Sequence, residues 1–290
     1  MDTAFDRDTE VTPEGDGAYT AQVAPGWRAG RGPHGGYLAA ILLGALIDAV
    51  GDPDRSARSL TIHYASSPEP GPIAIRTTLE REGRSLSTLS ARMEQDGTLV
   101  ALALSAFSLP WQAPDAHELP MPEVAPPDPQ RRSTPGLFDK APEFTRKLVM
   151  QPRTGAPPFA GTGAPMRIGG WIGLPERRPV DAPALALFCD AWFPPSFIAL
   201  SEPAISPTVD LTIHFRQPPS QASVDPADLC LAIFDTRLLH DGFFEEDGVV
   251  WAADGSVLAQ SRQLGIIMPT DKPVLQPAGH AANPTKEDDT

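Results

Sequence analysis

One five-residue phrase occurs twice in this chain: Leu60-Thr61-Ile62-His63-Tyr64 returns as Leu211-Thr212-Ile213-His214-Phe215. Each copy alternates apolar and polar side chains with β-branched residues among them, as a half-buried strand does. Each also leads on to an Asp-Gly pair, Asp96-Gly97 and Asp254-Gly255, of the kind that turns a β-hairpin. A chain that repeats strand and turn in the same order is expected to fold as two related halves. Halves that stay packed together can diverge, so positions that are polar in one and apolar in the other are where chemistry should be sought.

The chain's 290 residues lie near the upper size for one continuous core, and two half-domains suit that length. Hydrophobic residues at 41% and charged residues at 21% describe a globular protein, and no apolar run approaches the roughly 20 residues of a membrane span. The beginning, Met1-Asp2-Thr3-Ala4-Phe5-Asp6, is acidic and lacks the basic and apolar stretches of a secretory signal, so a cytoplasmic location is expected. Cys189 and Cys230, the two cysteines, stand in no metal-ligand spacing and read as buried small hydrophobes. A net charge of −14 argues against a sequence-independent grip on nucleic acid, which needs clustered Lys and Arg. It does not exclude an anionic ligand met by a local basic patch or by backbone amides.

Residues Tyr19 to Trp27 read as extended, and Gly30-Arg31-Gly32-Pro33-His34-Gly35-Gly36 then breaks the chain before an apolar run from Tyr37 to Val50. That run reads as a helix, and one so apolar all round must be enclosed by other structure, here a sheet. Ser59 to Ala65, Ile73 to Glu82, Ser85 to Gln95 and Thr98 to Ser108 read as antiparallel strands. From Pro110 to Pro179 the chain places fifteen of its 34 prolines, so most of that stretch is expected to be connection. The second half's first strand is expected near Met166 to Leu174, its helix over Asp181 to Trp192, and its strands over Val209 to Phe215, Asp228 to Leu239, Gly242 to Ala252 and Val257 to Met268. The division that follows is 1–112 for the first half-domain, 113–160 for the connection, 161–270 for the second half-domain and 271–290 for a disordered tail.

The second helical run carries one carboxylate, Asp190, among apolar residues, where counting from the repeated phrase puts Ala39 in the first half. A buried carboxylate without partners costs several kcal/mol, so natural cores seldom hold one unless it is paired or used. The plainer alternative has Asp190 at the fraying end of its helix, in water or capping the Phe193-Pro194-Pro195 turn. Gln263 shows the same asymmetry against Ser105, and its amide can both donate to and accept from a water. Thr208, just ahead of Val209-Asp210-Leu211, offers a hydroxyl to complete a cluster. His63 and His214 occupy matching places in both copies, which favours structure over catalysis. His240-Asp241-Gly242 reads as a turn, and the tryptophans at 27, 111, 171, 192 and 251 read as core or interface.

On these residues the chain resembles the acyl-CoA thioesterase II (TesB-like) family, over about Tyr19 to Met268. The family's glycine-rich lead-in to its first helix matches Gly32-Pro33-His34-Gly35-Gly36-Tyr37-Leu38. Its catalytic Asp, Thr and Gln fall on Asp190, on Thr208 within Pro207-Thr208-Val209-Asp210, and on Gln263 within Ser261-Arg262-Gln263-Leu264-Gly265. Three departures stand out: His34, the Thr212 to Phe215 stretch and a connection unusually rich in proline. The resemblance implies an α+β double hotdog fold, two tandem hotdog half-domains each with a central helix wrapped by an antiparallel sheet. It further implies hydrolysis of acyl-CoA thioesters by a water held by Asp190, Thr208 and Gln263, with His34, Gly35 and Gly36 beside the substrate. No cofactor and no metal are implied, and homo-oligomers are expected.

Other chemistries lack their signatures. No Gly-x-Ser-x-Gly elbow, phosphate-binding loop or dinucleotide fingerprint is present, and neither is the Asp and His arrangement of hotdog hydratases or the His-Phe-Pro pattern of acyl-carrier dehydratases. The competing reading from another class is a non-catalytic acyl-CoA or acyl-carrier binding protein on the same fold.

Overall fold

The two copies of the repeated phrase lie side by side. Strand Ser56–Tyr64 pairs antiparallel with strand Thr208–Phe215, and Thr61 faces Thr212, the second residue of each copy. Their hydroxyl oxygens are 3.1 Å apart. Antiparallel pairing about a shared centre is what a two-fold relation between the halves demands. The computed structural model describes residues 3–116, 118–128, 130, 141–161, 163–217 and 229–269, so the tail read as disordered lies outside the described residues.

From that central pair a single sheet runs outward in both directions in matching order. On the first-half side Ser56–Tyr64 is followed by Thr98–Ser108, Leu86–Gln95, Gly71–Glu82, Ala18–Val23 and Val11–Gly15. On the other side Thr208–Phe215 is followed by Val257–Ile266, Phe243–Trp251, Cys230–Asp235, Arg167–Gly173 and Val149–Thr154. Hairpins set the register. Asp96 and Gly97 both adopt positive φ, 49° and 76°, and so do Asp241 and Gly242, at 52° and 77°. Two successive left-handed residues form the tight turn whose twist matches that of the flanking strands, and Asp-Gly takes it with little strain.

The described residues form three α-helices: α1 (Ala4–Asp8), α2 (Gly35–Val50) and α3 (Ala182–Phe188). In α2, Gly36 to Leu43, Ala45 and Leu46 are all buried, as an all-apolar helix requires. It packs against the first-half strands and against α3, and Gly51, at φ 63°, ends it with a left-handed cap. Helix α3 is shorter than its apolar run suggests. Asp181 caps its start by accepting from Ala184 N–H at 3.0 Å, yet the helix stops at Phe188. There the bonding tightens: Asp190 N–H reaches back three residues to Leu187 and Ala191 N–H to Phe188. The expected extension to Trp192 fails because apolar content reports burial, and Cys189, Ala191 and Trp192 are buried outside a helix.

The proline-rich connection also differs from a bare linker. Val149–Thr154, inside residues 113–160, is the edge strand of the second-half sheet. Leu119, Met121 and Val124 pack on a cluster of Trp171, Trp251, Leu231 and Ile233, and Trp171 Nε1 donates to Ala125 O at 2.8 Å. Proline prevents ladder pairing but not coverage of a sheet face. Four of the tryptophans are buried as expected, whereas Trp111 is 69% exposed. Cys189 and Cys230 are buried and not joined in a disulfide.

Leu42, fully enclosed in α2, reports how tightly the sheet wraps the helix. Leu42→Ala is expected to lower the unfolding free energy by about 2–5 kcal/mol in urea titration. A loss under about 1 kcal/mol would contradict an enclosed helix.

Candidate functional site

Asp190 lies in the turn just past α3, and the tightened backbone there points its carboxylate away from its own half. Oδ2 accepts the Gly36 N–H at 2.6 Å, at the start of α2. The side chain is only 10% exposed. So the plainer alternative is half met: Asp190 does follow its helix, but it caps the other half's helix instead of facing water. An acidic oxygen at a helix N-terminus is stabilised by the exposed amides and the helix dipole. Glycine makes the approach possible. A Cβ on Gly35 would come within 2.9 Å of Asp190 Oδ2, and one on Gly36 within 3.0 Å of Asp190 Cβ and of Ala186 O.

His34 caps α2 from its other side. Nδ1 accepts the Tyr37 N–H at 3.2 Å, which places the ring proton on Nε2, and Nε2 donates to the Asp190 carbonyl oxygen at 2.8 Å. The same nitrogen is 3.5 Å from Asp190 Oδ2. Burial pushes the His34 pKa down, against the pull of Asp190, so the ring is held neutral. The ring rests on Phe144 at 4.1 Å, and Trp27, whose carbonyl accepts the His34 N–H, stacks on Tyr37 at 4.7 Å. Both ring nitrogens meet protein partners, so His34 acts here as a helix cap and a clamp on the Asp190 turn. Tyr64, from the repeated phrase, closes the side of the site by donating its hydroxyl to Gly35 O at 2.9 Å.

The second half brings the other two side chains. In strand Thr208–Phe215 the inward residues are Leu211, Ile213 and Phe215; regular alternation would put Thr208 on the opposite face, with Asp210, Thr212 and His214. The register slips between Thr208 and Asp210, and this bulge turns Thr208 inward. Its hydroxyl donates to Gln263 Oε1 at 2.8 Å. Gln263, 5% exposed, sits on the neighbouring strand, and its side chain lies near enough to the Asp190 carboxyl to draw its pKa down. Asp190, Gln263 and Thr208 therefore form one linked set, and His34, Gly35 and Gly36 frame it from the first half. His63 and His214 point outward and are exposed.

A further acid is part of this set. Glu246, 3% exposed, pairs directly across from Gln263 and accepts from its Nε2 at 2.6 Å. It hides in the run Phe243-Phe244-Glu245-Glu246-Asp247, which looks like a solvated face. The legible signal was strand alternation, which groups Glu246 with inward Phe244, Gly248 and Val250. Burial pushes the Asp190 carboxyl above its ordinary range, opposed by His34, the Gly36 N–H and Gln263. Burial pushes Glu246 up much further, opposed by Gln263 and reinforced by the nearby charges of Asp190 and Asp247. Among the described residues no three His, Cys, Asp or Glu side chains are grouped to hold a metal ion, and no helix is long and apolar enough to cross a membrane.

Residues 23–108 match the family model of the acyl-CoA thioesterase N-terminal domain, and residues 122–267 match that of the acyl-CoA thioesterase C-terminal domain. An uncharacterised Mycobacterium tuberculosis protein is 24% identical over 268 residues, covering 83% of this chain and 88% of the relative. Among solved structures, a hot dog fold protein of unknown function from Alicyclobacillus acidocaldarius is 26% identical, with a TM-score of 0.80 over 91% of this chain and 98% of that one. The acyl-CoA thioesterase II TesB2 of Mycobacterium marinum, at 18% identity, shares the fold with a TM-score of 0.71 over 95% and 100% of the two chains. The continuous sheet with its two helices is thus a double hotdog.

The neutral state of His34 makes a testable demand on stability. Its folded pKa lies below the ordinary 6.5, so as pH falls through that value the unfolded chain binds a proton that the folded chain does not. The contribution is intact above 6.5 and declines below it. His34→Asn, which can still cap α2, is expected to show a shallower fall in Tm than wild type just below pH 6.5. Equal slopes would mean that the ring is not held neutral.

Proposed function

This chain belongs to the acyl-CoA thioesterase family, and from that premise we propose that it hydrolyses acyl-CoA thioesters to the free acid and CoA at the Asp190 site. The observation that carries this reading is the buried Asp190 carboxylate, set against the start of α2 and tied through Gln263 to Thr208.

Hydrolysis of a thioester needs a base near the attacking water and a donor for the carbonyl oxygen as it gains charge. Asp190 takes a proton from water as its oxygen bonds to the acyl carbon. Thr208 and Gln263 orient that water, and no covalent acyl-enzyme is involved. Of the first-turn amides of α2, Gly36 donates to Asp190 and Tyr37 to His34, which leaves Gly35 N–H to stabilise the developing oxyanion, with the helix dipole behind it. Collapse of the tetrahedral species breaks the C–S bond. The proton held by Asp190 passes to the leaving thiolate, and the carboxylic acid departs and gives up its own proton to solvent. The raised Asp190 pKa suits this role, because a more basic carboxylate takes the proton more readily.

Free-thiol release from short, medium, long and aromatic acyl-CoAs, compared with the corresponding carrier-protein thioesters, tests the reading and the leaving group together. Asp190→Asn is expected to lower kcat by about 10²–10⁴-fold. Wild-type kcat/KM should rise with pH as Asp190 ionises, with a midpoint above the ordinary Asp value of 3.8, and the variant should lack that limb. Full activity in the variant would remove Asp190 from the chemistry. Silence of wild type on every thioester would instead favour a protein that holds acyl-CoA without cleaving it.

A further inference from the structure

The halves answer each other residue by residue across the central strands, which shows what packing alone would place at each position. Gln263 pairs with Leu211 and Glu246 with Gln263; the first-half counterparts are Ser105, which pairs with Leu60, and Leu89, which pairs with Ser105. Leu89 is fully buried, so a leucine fills this place in the fold without difficulty. The second half puts a carboxyl there, 3% exposed, with one oxygen on Gln263 Nε2 at 2.6 Å. The other oxygen, Oε2, meets no hydrogen-bond partner among the described residues. A buried carboxyl in place of a workable leucine, with only one of its oxygens satisfied, costs stability and calls for a use.

We propose that Glu246 is a positioning residue, whose carboxyl accepts from the Gln263 amide and so holds the group that joins Thr208 to Asp190. An amide NH₂ has two protons to place. Gln263 donates to Glu246 and stands beside the Asp190 carboxyl, while its oxygen receives the Thr208 hydroxyl. With Glu246 in place the amide is fixed at both ends, and the water-orienting geometry survives each turnover. Without it, one N–H is left buried and unmatched, and the side chain is free to swing. The groups facing Glu246 are Asp190 and Cys189 from the turn after α3, Gln263 from the adjacent strand and Asp247 from its own. None is a cation. Burial, reinforced by the charges of Asp190 and Asp247 and opposed by Gln263, pushes Glu246 well toward its protonated form.

This assignment rests on the thioesterase reading above, and the test separates the two. Glu246→Leu copies the first half and should still fold cooperatively. Its kcat is expected to fall about 10-fold to 100-fold with KM little changed, because misplacement of a positioning group lowers turnover more than binding. Glu246→Gln, isosteric with the protonated acid and still an acceptor, should restore most of the rate. A wild-type kcat in Glu246→Leu, or equal losses in both variants, would overturn the proposal. If wild type cleaves no thioester the activity reading falls, and infrared difference spectra decide the fate of Glu246. A protonated-carboxyl C=O band at neutral pH should vanish in Glu246→Gln and move to higher frequency in Gln263→Leu. Absence of that band, or its indifference to Gln263, would overturn the assignment as well.

Discussion

The contact between Asp190 and the Gly36 N–H is the constraint around which both halves are arranged. A carboxylate this enclosed is tolerated only if hydrogen bonds and favourable dipoles replace the water it has lost, and none of the replacements comes from its own helix. Helix α3 ends at Phe188 so that the turn can carry Asp190 across to α2. Helix α2 begins with two glycines because a side chain on either would collide with that turn. His34 then ties the Asp190 backbone to the cap of α2. One hydrogen bond thus explains the early end of one helix, the composition at the start of the other and the burial of a histidine.

The same contact distributes the work between halves that began alike. Both central strands slip register at the same place, between Ala57 and Ser59 in one and between Thr208 and Asp210 in the other. The bulge is therefore part of the repeated architecture, and only the residue mounted on it differs: Ala57 in the first half, Thr208 in the second. Ser105 and Leu89 likewise stand where Gln263 and Glu246 stand. The first half carries a long helix with a glycine-lined start, and the second a short helix and the polar side chains. Neither half alone contains a site, since amides and carboxylate are contributed from opposite sides of the pseudo-two-fold.

Much of this was legible in the sequence, for reasons that also mark the limit. The repeated Leu-Thr-Ile-His phrase located the central strands, and the Asp-Gly pairs located hairpins, because strand period and turn chemistry are local properties. Asp190 and Gln263 stood out by asymmetry between the copies, and Thr208 as a hydroxyl just ahead of the second central strand. The length of α3 was not legible, since Cys189, Ala191 and Trp192 are apolar for reasons of burial alone. Nor was the packing of Leu119, Met121 and Val124 over the second-half sheet, because coverage of a face leaves no period in a proline-rich stretch. Glu246 was hidden by its neighbours: in Glu245-Glu246-Asp247 only pairing to Gln263 shows which acid turns inward.

His34, Asp190 and Glu246 are buried together in this small volume, and their opposing shifts restrict the charge it can hold. His34 is pushed down by burial and stays neutral, so its contribution to stability is present near and above its ordinary pKa and fades in acid. Asp190 and Glu246 are pushed up. Each contributes most below its ordinary carboxylate pKa and loses that contribution as pH rises toward its folded value, where the folded chain must release a proton that the unfolded chain has already lost. Asp190 is the group with the means to ionise first, having the Gly36 amide, the helix dipole and Gln263, whereas Glu246 has Gln263 alone. A second anion would stand beside the first with no cation to balance it. The enclosure that raises the basicity of Asp190 therefore also pushes Glu246 toward its protonated form, and one burial shifts both acids.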